Sequence, residues 1–170
     1  MTDQPHASAP PPSGKSGPSA KYGAIPPALW IIALSTLAPF PIAAIAYGWG
    51  AADVARPALT VILNWSGCVL AFLGGVRWGL ESGRPEPRPL RLIISVLSPV
   101  VAWTILFSRH RIPDGWVIGG CIAAFLAQWL FDHQAPDVPA RYPRLSTAIT
   151  AAACISLAIC LDQAMKTGHV

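Results

Sequence analysis

Charge is scarce in this chain. Lys, Arg, Asp and Glu make up 12% of its 170 residues, about half the ~25% usual in soluble domains. An ordinary water-facing surface is therefore excluded. Cysteine is also sparse: Cys68, Cys121, Cys154 and Cys160 all fall inside apolar runs, and no C-x-x-C pair occurs. They are expected to be small buried residues, not a disulfide framework or a metal knuckle. His6, His110, His133 and His169 are too scattered for a haem or zinc site. Phosphate-cradling glycine loops, an H-E-x-x-H helix and a serine or cysteine nucleophile motif are missing. No catalytic residue, metal or cofactor is assigned. A basic start followed by an apolar core is missing from the first 27 residues, so no cleavable signal peptide is expected.

Apolar sequence is what remains. Hydrophobic residues make up 53% of the chain, and the mean hydropathy is +0.48. Five apolar runs stand out, near residues 28–47, 58–78, 90–107, 115–131 and 145–161. Each has about 17–21 residues, the length a helix needs to cross ~30 Å of hydrocarbon. No alternating strand pattern appears, and backbone polar groups in lipid must be satisfied internally. The expected fold is all-α, a polytopic membrane helical bundle of about five transmembrane helices. Residues 1–27, rich in Pro, Ser, Gly and Ala, are expected to form a disordered cytoplasmic tail ahead of a membrane domain at 28–170. Pro39 and Pro41 interrupt the first run, where each removes a backbone donor and kinks the chain. Gly50, Asp53 and Pro57 are placed in the first inter-span loop.

The net charge of +4 comes from short loops and reads as topology, with no nucleic-acid partner. Five spans put the termini on opposite sides. Lys15, Lys21, Arg84, Arg88, Arg91, Arg141 and Arg144 share one side, against Arg56, Arg109, Arg111 and Lys166 on the other. The positive-inside bias then places the N-terminus in the cytoplasm and the C-terminus in the periplasm. Trp30, Trp49, Trp78, Trp116 and Trp129 lie near span ends, where indoles favour the interface; Trp65 and Trp103 lie deeper and read as packing residues.

The second span carries the densest signal, Phe72-Leu73-Gly74-Gly75-Val76-Arg77-Trp78-Gly79-Leu80-Glu81. On a helical wheel, Ile62, Val69, Leu73, Val76 and Leu80 form an aliphatic stripe expected to face lipid. Gly67, Ala71, Gly75 and Gly79 recur every fourth residue, a small-residue ladder that invites a neighbouring helix, with Asn64 on the same side. An arginine at a span end ordinarily snorkels to the headgroups, here as an anchor pairing with Glu81 one turn on. The functional alternative is a fixed cation lining a polar pocket. The fourth span offers partners: Gly120, Ala124, Gln128 and Asp132 share one face, with the last two at the depth of Arg77 and Glu81. Arg77, Glu81, Gln128 and Asp132 are thus the candidate polar site. Asn64, Gly67, Ala71, Gly75, Gly79, Gly120 and Ala124 are the candidate packing residues.

These segments resemble domain-of-unknown-function family 3429, the transmembrane protein 69-like family. The resemblance rests on Pro39-Phe40, on Phe72 to Gly79, on Gln128 with Asp132, and on Val138 to Thr147, where the family has a Pro-x-Tyr stretch before the last span. It implies a small multi-span protein of bacterial or organellar inner membranes, with no established activity, substrate or cofactor.

The expected role is therefore that of an integral inner-membrane protein, more readily non-enzymatic. It would act through helix packing or membrane-complex assembly, embedded in the lipid bilayer beside a membrane-protein partner or a second copy of itself. A small transporter or channel with a cytoplasmic-facing Arg/Glu/Asp site is the alternative. A membrane enzyme acting on a lipid or quinone ranks third.

Overall fold

Proline cannot donate a backbone hydrogen bond and is best tolerated in the first turn of a helix. Helix α1 (Pro39–Trp49) and helix α3 (Pro89–Ser108) both open on proline, and α4 (Asp114–His133) follows Pro113. Helices α2 (Ala52–Ser82) and α5 (Tyr142–Lys166) complete the bundle. A computed structural model describes residues 31–32, 35–134 and 142–167, with backbone alone at 142 and 143. The expected tail, Trp30 and the stretch at 135–141 lie outside the described residues. Within them every regular element is helical. The four helices α2 to α5 are long and apolar enough to cross a membrane. The architecture is that of an all-α, multi-pass membrane protein.

The first apolar run is interrupted at its prolines, as expected. Helical residues 35–37 are parted from α1 at Ala38. Pro39 and Pro41 cannot donate to the carbonyls of Ser35 and Leu37, so the ladder fails there. The Trp65 indole of α2 donates to the Thr36 carbonyl at this break, at 2.9 Å. Helix α1 has 11 residues, about 16 Å of rise, well short of the ~30 Å core.

Helix α2 runs longer than expected, starting six residues before position 58 and taking Pro57 inside the helix. A proline in the second turn removes one bond, to the Asp53 carbonyl, and the apolar run behind it carries the helix through. Helix α2 is the centre of the bundle and touches all four others. Ile62, Leu63, Leu70 and Leu73 are fully buried with Phe40, Phe125 and Leu157. The Phe40 and Phe125 rings meet edge-on, 6.0 Å apart. The aliphatic stripe expected to face lipid is therefore mostly core: Ile62, Val69 and Leu73 are buried, Val76 is half-buried, and only Leu80 is exposed. A helix surrounded by protein turns its apolar side inward. Val61, Cys68, Phe72 and Trp78 are its outward residues instead. Cys121 and Cys160 are buried as expected, whereas Cys68 is not.

The small-residue ladder is likewise re-registered. Gly67 faces Leu106 of α3, and Gly74 faces Ser95, Ser98 and Pro99 of α3. Gly75 and Gly79 meet nothing within 4 Å, Asn64 is exposed and Ala71 half-buried. On α4, a Cβ at Gly120 would lie in ordinary contact with Ile105 of α3, at 3.5 Å, and Ala124 packs on the core. The α2–α3 approach has a specific cause. Pro99 lies inside α3 and cannot donate to the Ser95 carbonyl. Gly74 brings its backbone onto that same carbonyl, where a Cβ would sit at 2.7 Å.

Helix α3 packs against α2 and α4 and stands at the perimeter. Only 11% of its apolar window is buried, against 50% for α2. Leu90, Ile93, Val96, Val100, Trp103 and Phe107 face outward. Trp103 is thus a surface residue, stacked on Phe107 at 5.2 Å, and not the interior packing residue that its depth implied.

The two adjacent glycines provide a clean contrast. Gly74→Ala should destabilise the bundle by about 1–3 kcal/mol, because backbone and a proline ring cannot yield easily. Gly75→Ala should be neutral or stabilising by up to about 1 kcal/mol, from helix propensity. Thermal unfolding of the two variants in detergent checks this; equal effects would contradict the α2–α3 register.

Candidate functional site

A charge inside an apolar bundle must find a partner or a route to water. Arg77 is ten residues from the middle of α2, about 15 Å along the axis, near the edge of the hydrocarbon. Its side chain is only 11% exposed, and that of Asp132 1%. Arg77 Nη1 lies 3.3 Å from Asp132 Oδ1, and Nη2 donates to the Phe131 carbonyl. That carbonyl belongs to the last turn of α4, where helix carbonyls lack intrahelical donors and favour a cation. The guanidinium therefore answers a carboxylate and a helix terminus together.

Asp132 is held from two more directions. Ser146 of α5 donates to Oδ2 at 2.7 Å, and Gln128, one turn earlier on α4, donates to Oδ1 at 3.2 Å. The Gln128 carbonyl oxygen in turn accepts from Ser98 of α3. A single polar cluster thus ties α2, α3, α4 and α5 at one end of the bundle. A cleft of about 70 Å³ opens beside it between α3 and α4, with Leu70, Leu97, Ser98, Ala124, Gln128 and Phe131 among its walls.

Glu81 lies apart from this cluster in its bonding. Its buried carboxylate meets Arg84 at 3.3 Å and Arg91 at 3.8 Å, and accepts from the Arg88 backbone N–H at 3.0 Å. Arg88 is the N-cap of α3. In this loop Pro85 and Pro87, with Pro89 opening α3, carry no backbone N–H. Glu81 captures one that is left and so fastens α2 to the start of α3. The anchor pairing of Arg77 with Glu81 is replaced by Arg77 with Asp132, because Glu81 has closer cations of its own.

Of the four residues picked from the sequence, three meet directly: Arg77, Gln128 and Asp132. Ser98, Ser146 and the Phe131 carbonyl complete the cluster and were not foreseen. Their only sequence signal is a small hydroxyl in an apolar run, which is common to many serines. One more polar group is out of place. Thr150, one turn beyond Ser146, is buried, and its hydroxyl has no hydrogen-bond partner among the described residues; Arg77 Nη1 likewise donates no hydrogen bond there. Other hydroxyls of the bundle, such as Ser66 and Thr104, donate back to their own helix.

A family model described as a protein of unknown function, DUF3429, matches residues 25–161. The chain belongs to that family. The matched stretch holds the whole Arg77–Asp132 cluster and the glycine contacts of α2, so the geometry is that of the DUF3429 region itself. The family description carries no activity, and the narrower likeness to transmembrane protein 69 is not part of it. No curated protein and no solved structure matches the chain.

Chemically the cluster is a clamp. Its one carboxylate is buried and engaged by a guanidinium, an amide and a hydroxyl. Among the described residues no three His, Cys, Asp or Glu side chains gather as metal ligands.

Breaking the clamp on one side leaves a buried, uncompensated charge. Arg77→Met or Asp132→Leu alone should destabilise by about 3–5 kcal/mol. The double variant should recover most of that, since a well-packed apolar pair often matches a buried ion pair. Unfolding midpoints of the wild type, both single variants and the double variant give the coupling energy; additive losses would contradict a direct pair.

Proposed function

We propose that this protein acts without chemistry of its own, as a helix-packing component that helps to assemble or stabilise a larger membrane complex. The observation that carries this reading is the engagement of its interior charges: Arg77 with Asp132, and Glu81 with Arg84 and Arg91. A charged cluster bonded across four helices stiffens a scaffold and offers little to a reactant. The perimeter helix α3 supplies the complementary feature, an apolar face left largely uncovered by the rest of the bundle. A transmembrane helix of a partner, or a second copy of this chain, would pack there. The proposed setting is a bacterial inner membrane, with the Arg77 end of the bundle towards the cytoplasm, as the excess of loop arginine and lysine favours.

Purification in mild detergent should recover a stoichiometric membrane-protein partner or a defined homo-oligomer. A bare monomer across several mild detergents would count heavily against the assembly role. Reporter fusions should place the loop at 83–88 in the cytoplasm and the loop at 109–113 outside; the reverse pattern would overturn the orientation alone.

A small transporter is the second reading, favoured by the buried Thr150 hydroxyl, which has no hydrogen-bond partner among the described residues. Thr150→Val should then reduce solute flux in reconstituted vesicles while leaving the unfolding midpoint unchanged. Flux equal to wild type would remove this reading.

A further inference from the structure

The opposite end of the bundle holds a second arrangement, unrelated to the clamp. The start of α2 and the turn after α3 face each other across a cleft of about 540 Å³, which Arg56, Thr60, Arg109, His110 and Asp114 help to line. Arg109 Nη2 donates to Thr60 Oγ1 at 2.8 Å, across the helix pair. Thr60 gives its own proton to the Arg56 carbonyl at 3.0 Å, so its oxygen is free to accept. That bond ties one of the five guanidinium N–H donors and leaves the others for a ligand. Neither Arg56 nor Arg109 forms an ion pair among the described residues, although the Asp114 carboxylate shares the cleft. Two guanidiniums against one carboxylate leave the cleft cationic.

His110 also borders a second, apolar cleft of about 590 Å³, floored by the stacked rings of Trp103 and Phe107. The two clefts therefore adjoin: a cationic one at the mouth of the bundle, and an aromatic groove running down the outside of α3. A free anion has use for the first alone. A phospholipid has use for both, with its phosphate between planar guanidinium forks and an acyl chain along the aromatic groove.

We propose that this end of the bundle is a binding site for one anionic phospholipid. The Arg56 and Arg109 guanidiniums take the headgroup phosphate, with His110 at the junction, and the Trp103–Phe107 face takes the acyl chain. Asp114 disfavours a second negative charge in the cleft, so a singly charged lipid such as phosphatidylglycerol fits best. The site does not depend on the orientation of the bundle, and it takes only the Trp103–Phe107 end of the α3 face, leaving the Leu90–Val100 part to a partner.

The test uses the full-length protein in a neutral detergent, with binding read from the rise in unfolding midpoint as lipid is titrated. Phosphatidylglycerol should raise the midpoint, and phosphatidylcholine of the same chains should not. Arg56→Gln should weaken the apparent affinity for phosphatidylglycerol about fivefold, and Arg56→Gln with Arg109→Gln about thirtyfold, as expected for basic residues at a charged membrane surface. Arg56 is exposed, so the single variant keeps the test valid if the double variant folds poorly. Trp103→Ala should weaken lipid binding, and Lys166→Gln, at the same end but outside both clefts, should leave it unchanged. Equal shifts with phosphatidylcholine, an undiminished response in Arg56→Gln, or a shift produced by inorganic phosphate alone would overturn the proposal.

Discussion

The polar cluster that joins four helices at one end of this bundle is arranged around the burial of a single guanidinium. A charge at the centre of a span costs about 2.5–3.5 kcal/mol on insertion scales, which a helix can tolerate. A charge sealed among helices without a partner costs more. Arg77 is sealed, so α4 must bring Asp132 and its last-turn carbonyls within reach. Asp132 then requires donors of its own, which come from Gln128 and from Ser146 on α5. Gln128 is in turn oriented by Ser98 on α3. Each polar group creates the need that the next one fills. The outcome is a fixed relative depth for four helices whose apolar faces alone would slide with little penalty.

The apolar interior supplies cohesion of a less directional kind. Helix α2 is central because its burial is spread over several sides, and two glycines allow α3 to lie against it. The meeting of Gly74 with the carbonyl released by Pro99 puts a local defect of one helix against the small residue of another. Glu81 adds an anchorage at the loop, receiving the Arg88 N–H between two prolines that carry none. Helices α2 and α3 are therefore fastened along their length by packing and at their junction by charge.

Much of this was legible in the chain. Apolar run lengths located α2 to α5 to within six residues at either end, because crossing hydrocarbon imposes a length that composition cannot disguise. Depth brought residues of the fourth run forward as possible partners of Arg77, beside the anchor pairing with Glu81 that the structure replaces. Azimuth was not legible. Which side of α2 faces lipid depends on how many neighbours surround it, and Ile62, Val69 and Leu73 turned inward because α2 is central. Gly74 and Gly75 are adjacent and chemically identical, and only the position of α3 separates a contact from an open surface. Ser146 and Ser98 were invisible for the same reason. A hydroxyl becomes part of a site through the partner across the gap, and that partner lies on another helix.

The distance along the chain between Arg77 and its carboxylate has a meaning for biosynthesis. Helices emerge in order, so α2 and α3 exist as a hairpin before Asp132 has been made. During that interval Arg77 has no counter-ion on α4, while Glu81 already has Arg84 in its own loop. Its place near the hydrocarbon edge gives the guanidinium a waiting position among the headgroups. Arrival of α4 would then draw it inward, and the last helix would lock it through Ser146. The charge that clamps the finished bundle would thus act earlier as a stop that keeps the growing hairpin at its proper depth.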